Sequence, residues 1–288
     1  MTETLQTATN LAVLAFVVLC LLGMGLELKL REVLAPLRNL RLVLAALLVN
    51  FLLAPLLAFG IATLFRLQPP HATGLILLGS AAGAPFLPKL ALLARGDVAY
   101  AVALMLLLTV GTILFLPLGL PLLIPGVAVD SWGIARSLLI TMLVPLMAGM
   151  VLHSRGERWA QRLKPILGLL SNLCLLLALL LLISLNAQAM ASTVGSGASA
   201  AAILFVALTC LAGYLLGGSR EETKRVLGLG TGQRNIPAAL VVATGNFTDP
   251  QVTLMLIVAT FAGLLPLLAA IFWVRRSDRT TRTPQPTP

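Results

Sequence analysis

Long apolar runs separated by short polar or basic connections make up almost the whole chain. An α-helix needs about 20 apolar residues to cross a hydrocarbon core of about 30 Å. By this measure the pattern predicts about nine spans. They lie at residues 10–28, 40–65, 72–95, 97–123, 134–153, 166–186, 198–218, 225–246 and 251–274. We therefore expect an all-α polytopic membrane protein.

Two of these spans, the third and the eighth, are interrupted by helix-breaking residues. Residues 83–97 read GAPFLPKLALLARGD, and residues 230–246 read GTGQRNIPAALVVATGN. Proline removes a backbone donor and clashes with the preceding helical turn. We expect the helix breaks at Pro85, Pro88, Gly232 and Pro237. Paired interrupted helices in the two halves of a chain are typical of the binding site of a secondary transporter.

Basic residues are concentrated in alternate connections between the spans. The connections on one side hold most of the lysines and arginines, whereas the opposite ones hold Arg66 and Arg136. By the positive-inside rule the N-terminus lies outside and the C-terminus is cytoplasmic, in a plasma (inner) membrane. The two broken spans then run antiparallel, which predicts inverted repeats.

Composition narrows the classes of function. The chain has 288 residues, of which 59% are hydrophobic and 5% aromatic, so no basic-aromatic surface for nucleic acid is expected. Cys20, Cys174 and Cys210 lie inside apolar spans without metal-ligand spacing, and free cysteines are usually buried by packing. We expect no metal and no cofactor. The N-terminal residues lack the basic stretch of a cleavable signal peptide.

The order of these features resembles the bile acid:sodium symporter family. The matching residues are Met24-Gly25-Leu26, Asn50–Pro55, 74–97 and 230–235. The resemblance implies a panel domain and a core domain, with two discontinuous helices crossing near the membrane centre. In one transporter unit at 1–274, the panel is expected at roughly 10–28 and 134–186 and the core at roughly 40–123 and 198–274. A disordered cytoplasmic tail is expected at 275–288, because this segment is polar and proline-rich.

The chain departs from the family where the resemblance implies sodium ligands. The family binds sodium through oxygen atoms in the crossing helices and in the helix that follows the first of them. Where the family has Ser-Asn, this chain has Leu87-Pro88. Ala101 and Met105 occupy the positions of the hydroxyl ligands, and Gly230 and Arg234 occupy those of the Glu and the Gln. Hard cations require several oxygen ligands, which most of these side chains cannot supply. Asn50 does occupy a position where the family often has Gln.

The same region gains two cations, Lys89 and Arg234. We hypothesise that they replace two sodium ions, hold the crossing helices together and attract a small organic anion across the lipid bilayer. Charged residues inside spans usually mark a functional site. Gln233 and Asn235 either line the substrate cavity or satisfy backbone groups freed by the break. Asn50 is a candidate ligand or an interhelical hydrogen-bonding residue.

Other functions remain open at this point. A sodium-coupled symporter of bile-acid-like or small carboxylate substrates is one alternative, and proton coupling through a desolvated Lys89 is another. A membrane sensor or channel is a remote third. An enzyme is not expected: an intramembrane aspartyl protease needs two carboxylates, and Asp97 is more simply a helix cap. An arsenite carrier is disfavoured because no cysteine lies in a broken segment.

Overall fold

Helices account for all regular secondary structure in the described part of the computed structural model, residues 2–27, 38–124, 130–193 and 197–280. The single long helices are α1 (Thr2–Gly25), α2 (Leu40–Leu64), α5 (Val98–Leu123), α6 (Ser131–Arg155), α7 (Glu157–Thr193), α8 (Ala198–Leu216) and α11 (Pro250–Thr280). Two segments are split, into α3 (Pro69–Ser80) with α4 (Leu87–Leu93) and α9 (Glu221–Gly232) with α10 (Ile236–Asn246).

In the described part of the chain, seven helices are long and apolar enough to cross a membrane. The prediction of an all-α polytopic membrane protein is therefore confirmed. The two split segments coincide with the third and eighth predicted spans. That each split segment crosses the membrane stays a prediction, as do the inverted repeat and the division into panel and core.

Two predicted boundaries are corrected by the structure. Helix α11 continues to Thr280, so residues 275–280 are helical where a disordered tail was expected. The rest of that predicted tail, 281–288, lies outside the described residues. Helix α7 begins at Glu157 and reaches Thr193, well beyond the predicted span at 166–186. Polar residues such as Arg, Glu, Gln and Lys propagate a helix readily, so a helix need not end where its apolar run ends.

The long helices pack against one another and against the split segments. Helix α1 packs against α6 and α7, and α8 packs against α9 and α11. A Cβ atom at Gly25 would overlap the carbonyl oxygen of Leu146, so a glycine there lets α1 and α6 approach closely. Small residues serve this purpose in membrane helices. Outward-facing leucines such as Leu173 and Leu180 are exposed, as expected for surfaces that face lipid.

Candidate functional site

The two split segments each contain a short non-helical stretch. The first break comprises residues 81–86, between α3 and α4, and the second comprises 233–235, between α9 and α10. Pro85 lies within the first break. Pro88 and Pro237 lie instead in the first turns of α4 and α10, where a helix has no use for the missing N–H donor.

Asn235 ties the two breaks together. Its backbone N–H donates to Ala81 O (2.9 Å), and its Nδ2 donates to the carbonyl oxygens of Ala82 and Gly83 (both 3.1 Å). Its Oδ1 accepts from the backbone N–H of Ala238 (3.1 Å) and so caps the N-terminus of α10. One residue thus satisfies three carbonyls of the first break and caps the helix that follows the second.

Arg234 lies in the second break with only 3% of its surface exposed. Its five N–H donors have five oxygen acceptors. The acceptors are the carbonyls of Leu78 (Nε, 3.2 Å), Gly79 (Nη2), Thr231 (Nη1, 3.1 Å) and Asn50 (Nη2, 3.4 Å), and Asn50 Oδ1 (Nη1, 2.8 Å). These oxygens form an oxygen cage around the cation. Because a guanidinium has five donors in all, the cage uses its full hydrogen-bonding capacity.

Three oxygens of the cage come from the ends of half-helices. Leu78 and Gly79 lie in the last turn of α3, and Thr231 lies in the last turn of α9. The last four carbonyls of a helix lack donors within that helix. The negative end of each helix dipole also favours a positive charge there. The guanidinium therefore sits where two helix ends favour a cation.

The other two oxygens are the side-chain Oδ1 and the backbone carbonyl of Asn50. The carbonyl is available because α2 contains a π-helical turn at Val49–Leu53. The N–H of Ala54 donates to the carbonyl of Val49, one residue further back than in an α-helix. The carbonyl of Asn50 is thereby released from its usual partner and turns to Arg234. Such π-turns are frequent at functional sites.

The structure adds two residues that the sequence analysis missed, Thr109 and Thr112 of α5. The Thr112 hydroxyl accepts from Ala82 N (2.8 Å) and donates to Ala82 O (2.9 Å). The Thr109 hydroxyl lies 3.0 Å from the carbonyl of Gly83. A sequence signal existed, since these two hydroxyls lie one turn apart in a strongly apolar helix. Together they hold the first break in place.

Replacing Thr112 by valine should destabilise the protein by about 1–3 kcal/mol, the usual cost of leaving a buried polar group unpaired. The Ala82 N–H would lose its acceptor while the side-chain volume stays the same. Thermal unfolding of the purified protein in detergent measures the effect. Thr112→Ser should retain most of the stability. Thr63→Val, at an exposed position in α2, is the matched control. Equal unfolding midpoints for Thr112→Val and Thr63→Val would contradict the assignment.

Lys89 does not lie at the crossing. Its side chain is exposed, and its Nζ lies 5.1 Å from the centroid of the Phe86 ring. It lines a cavity of about 270 Å³, which is here called the polar chamber. Glu27, two residues after the end of α1, and Lys164 of α7 line the same cavity. Glu27 and Lys164 form an ion pair of 3.0 Å across this chamber. Lys89 is therefore exposed in a polar cavity, whereas Arg234 is buried in the second break.

A second and larger cavity, of about 330 Å³, adjoins the two breaks and is here called the apolar cavity. Its walls come from α1, α7, α11 and both split segments, and most of the lining side chains are aliphatic. Phe16, Pro85 and Phe86 line both this cavity and the polar chamber. Gln233 also lines the apolar cavity, and its buried Oε1 has no hydrogen-bond partner among the described residues.

A protein-family model described as the Sodium Bile acid symporter family matches residues 14–193, more than half of the chain. The chain belongs to this family. The resemblance seen in the sequence is thereby confirmed. The chain is also similar to the probable sodium/metabolite cotransporter BASS2, chloroplastic, of Oryza sativa subsp. japonica. It is 29% identical over 261 residues, which cover 89% of this chain and 62% of the plant protein.

Two further relatives extend the comparison. The probable sodium/metabolite cotransporter BASS3, chloroplastic, of Arabidopsis thaliana is 27% identical over 230 residues, covering 78% of this chain and 53% of that protein. The uncharacterized protein YbaS of Bacillus subtilis is 30% identical over 249 residues, covering 79% of this chain and 76% of that protein. The chain thus spans roughly half to two thirds of the length of these plant relatives.

Several positions that correspond to sodium ligands in the family carry apolar side chains here. Leu87, Ala101 and Met105 are buried. A Cβ atom at Gly230 would lie 2.9 Å from Leu87 Cδ2 and 3.1 Å from Leu104 Cδ2, so leucine side chains fill the space beside it. Among the described residues, no group of three or more His, Cys, Asp or Glu side chains could hold a metal ion.

Proposed function

We propose that the protein is a secondary transporter that carries an organic anion by alternating access without requiring sodium. The observation that carries this proposal is the oxygen cage filled by the guanidinium of Arg234. Carbonyls of unwound segments and the C-terminal ends of half-helices are the groups that hold coupling ions in transporters with broken helices. Here a covalently attached cation occupies such a set of groups.

The occupied cage gives Arg234 a specific role. Since its five donors already have acceptors, it has no donor left for a carboxylate of the substrate. Its positive charge instead holds α2, α3 and α9 together at the crossing, as a bound cation would. The leucine packing beside Gly230 supports the same view, because leucine side chains fill the space next to it.

Lys89 is then the cation that attracts the substrate. Its ammonium group is exposed in the polar chamber, where Lys164 is already paired with Glu27. A charge-assisted hydrogen bond from Lys89 would bind the anionic group, and the adjoining apolar cavity would hold the rest of the molecule. The unpartnered Oε1 of Gln233 would accept a hydrogen bond from a hydroxyl or N–H group of the substrate.

The expected transport cycle moves a core, containing the two crossing segments, against a panel formed by α1, α6 and α7. Both cavities lie between panel helices α1 and α7 and the core, which is where alternating access requires the substrate. We place the protein in the plasma (inner) membrane with its N-terminus outside, on the basis of the positive-inside distribution of lysine and arginine.

The decisive experiment measures uptake of radiolabelled organic anions into proteoliposomes. A steroid carboxylate, a keto acid and a short carboxylate are each offered with sodium, potassium or choline outside, at equal pH. The proposal expects uptake of at least one anion at the same rate in all three media. Uptake that requires sodium would contradict it.

Sodium coupling is the second candidate, because the plant relatives are named sodium/metabolite cotransporters. In that case a sodium site must be built from oxygens other than those of the cage around Arg234. Proton coupling through Lys89 is a third possibility. It predicts uptake that follows an imposed pH gradient and loses this response in Lys89→Arg, whereas the built-in cation predicts no response in either protein.

Lys89→Asn should raise the KM for the anion about tenfold to one hundredfold, because a hydrogen bond to a charged group contributes roughly 1.5–3 kcal/mol. Initial uptake rates at several anion concentrations give the KM. Lys89→Arg should keep much of the affinity. Lys224→Gln, which removes a cation paired with Glu221 at the start of α9, is the control and should bind normally. An unchanged KM for Lys89→Asn would exclude Lys89 from the anion site.

A further inference from the structure

The apolar cavity has an opening whose rim consists of hydrocarbon side chains. Leu264 and Leu268 of α11 line the cavity and have 46% and 58% of their area accessible. On the opposite side the rim is formed by Leu175 and Leu179 of α7, which are partly exposed. The opening therefore lies between α7 and α11.

The depth of this opening follows from the positions of the rim residues along their helices. Leu264 lies near the middle of the candidate membrane span of α11, Pro250–Arg276, and Leu175 lies well inside that of α7, Glu157–Leu185. At 1.5 Å per residue, each is roughly 15 Å or more from either end. A hydrocarbon core is about 30 Å thick, so the opening faces the interior of the bilayer and not water.

We propose that this opening is a lateral portal through which an amphipathic organic anion enters the site from the bilayer. The inference rests on the proposed transport of an organic anion and names its route of entry. The apolar body of the anion would occupy the apolar cavity, and its charged group would reach Lys89 in the polar chamber.

The arrangement of the two cavities matches the orientation of an amphipathic anion in a leaflet. Such a molecule keeps its charged group near the interface and its apolar body in the hydrocarbon. The polar chamber is lined by the charged residues Glu27, just after the end of α1, and Lys164, near the start of α7, whereas the rim of the apolar cavity lies further along α7. The anion could slide sideways between α7 and α11 without turning over. Its charge would not have to cross the apolar interior, where it is costly.

The occupant is the anion rather than a membrane lipid because the adjoining chamber supplies a matching charge. Phe16, Pro85 and Phe86 line both spaces, so one molecule can contact both. The Lys89 ammonium faces this junction over the Phe86 ring. A purely apolar acyl chain would use the cavity alone and leave the charged chamber unfilled.

Fluorescence quenching tests the portal directly. In a background where Trp132, Trp159 and Trp273 are replaced by phenylalanine, Leu267→Trp places one fluorophore on a cavity-lining residue of which 7% is exposed. The protein is reconstituted in phosphatidylcholine with acyl chains brominated near their middle. Leu265→Trp, at an exposed neighbour outside the cavity lining, is the matched control. If Leu267→Trp does not fold, Ile271→Trp, also buried in the lining, replaces it.

The proposal expects Leu267→Trp to lose most of its emission in brominated lipid and to regain it when octanesulfonate, a permanently charged amphipathic anion, is added. Leu265→Trp should be quenched equally with or without octanesulfonate. An unquenched Leu267→Trp would overturn the portal. Quenching that octanesulfonate leaves unchanged would show that a lipid chain fills the cavity, and would overturn the anion as its occupant.

Uptake by the same proteoliposomes separates the portal from the proposed transport. If octanesulfonate restores the emission and labelled octanesulfonate also accumulates, both stand. If it restores the emission but no organic anion is taken up, the proposed transport fails while the portal stands. If lipid does not quench the emission but short carboxylates are still taken up, the portal fails while the proposed transport stands. If lipid does not quench the emission and no anion is taken up, both fail.

Discussion

Replacing Arg234 by alanine should abolish anion uptake in sodium-free medium and lower the free energy of unfolding by about 3–5 kcal/mol, because several buried acceptors lose a donor and each unsatisfied one costs roughly 1–3 kcal/mol. The substitution removes the donors that Arg234 supplies to the oxygen cage, with acceptors from Asn50, Leu78, Gly79 and Thr231. Unpaired backbone groups are especially costly where water is excluded. Thermal unfolding and uptake into proteoliposomes measure the two effects.

The same variant should respond to added cations, unlike the wild-type protein. The emptied cage would offer several oxygens from three helices, and sodium is a hard ion that prefers such ligands. We expect sodium or free guanidinium to restore part of the stability and uptake of Arg234→Ala, with potassium less effective. If neither cation restores either property, Arg234 does not take the place of a bound ion.

Two further variants serve as controls for this prediction. Arg234→Lys keeps the charge but has three donors instead of a five-donor fork, so its stability should lie between those of the wild type and the alanine variant. Arg136→Ala removes an exposed arginine from α6 and should change neither property. If Arg136→Ala showed the same sodium response as Arg234→Ala, the response would be a general effect of salt.

Much of the fold could be predicted because its main signals are local in the sequence. Length and apolarity locate the long helices, and prolines and glycines locate the two breaks. The structure nevertheless places Pro88 and Pro237 in the first turns of α4 and α10, which begin at Leu87 and Ile236, and puts the breaks just before these helices. Local pattern identifies a break but not which side of a proline it occupies, because proline is tolerated in the first turn of a helix.

The candidate site was predictable only in part, because contacts depend on how helices pack. Arg234 was singled out by its charge, but four of its five acceptors lie more than 150 residues away in the chain, at a helix end and in a π-turn. Lys89 was singled out in the same way, yet its side chain turns toward α1 and α7. A residue's position in a span does not give the direction of its side chain. The roles of Thr109 and Thr112 were missed for the same reason.

Gly83→Ala should destabilise the protein by about 2–5 kcal/mol and with it abolish uptake. Gly83 has a φ of +82°, a left-handed conformation that costs an L-residue roughly 1–2 kcal/mol. A Cβ atom there would also overlap the backbone nitrogen of Thr109 and lie 2.7 Å from the carbonyl carbon of Leu108, and overpacking typically costs about 1–3 kcal/mol. Unfolding midpoints and the yield of folded protein measure the loss. Gly60→Ala in α2, where no atom lies within 4 Å of the added Cβ, should be neutral.

The location of this clash predicts that shortening the neighbouring Thr109 side chain does not rescue Gly83→Ala. Because the colliding atoms include the backbone of α5, Thr109→Ala should not restore the stability of Gly83→Ala. It would also remove the hydroxyl that lies 3.0 Å from Gly83 O, so the double variant should be no more stable than either single one. Rescue by Thr109→Ala would mean that only the side chain constrains Gly83. Without rescue, backbone packing of α5 against the first break fixes the position at which Asn235 and Arg234 meet their acceptors.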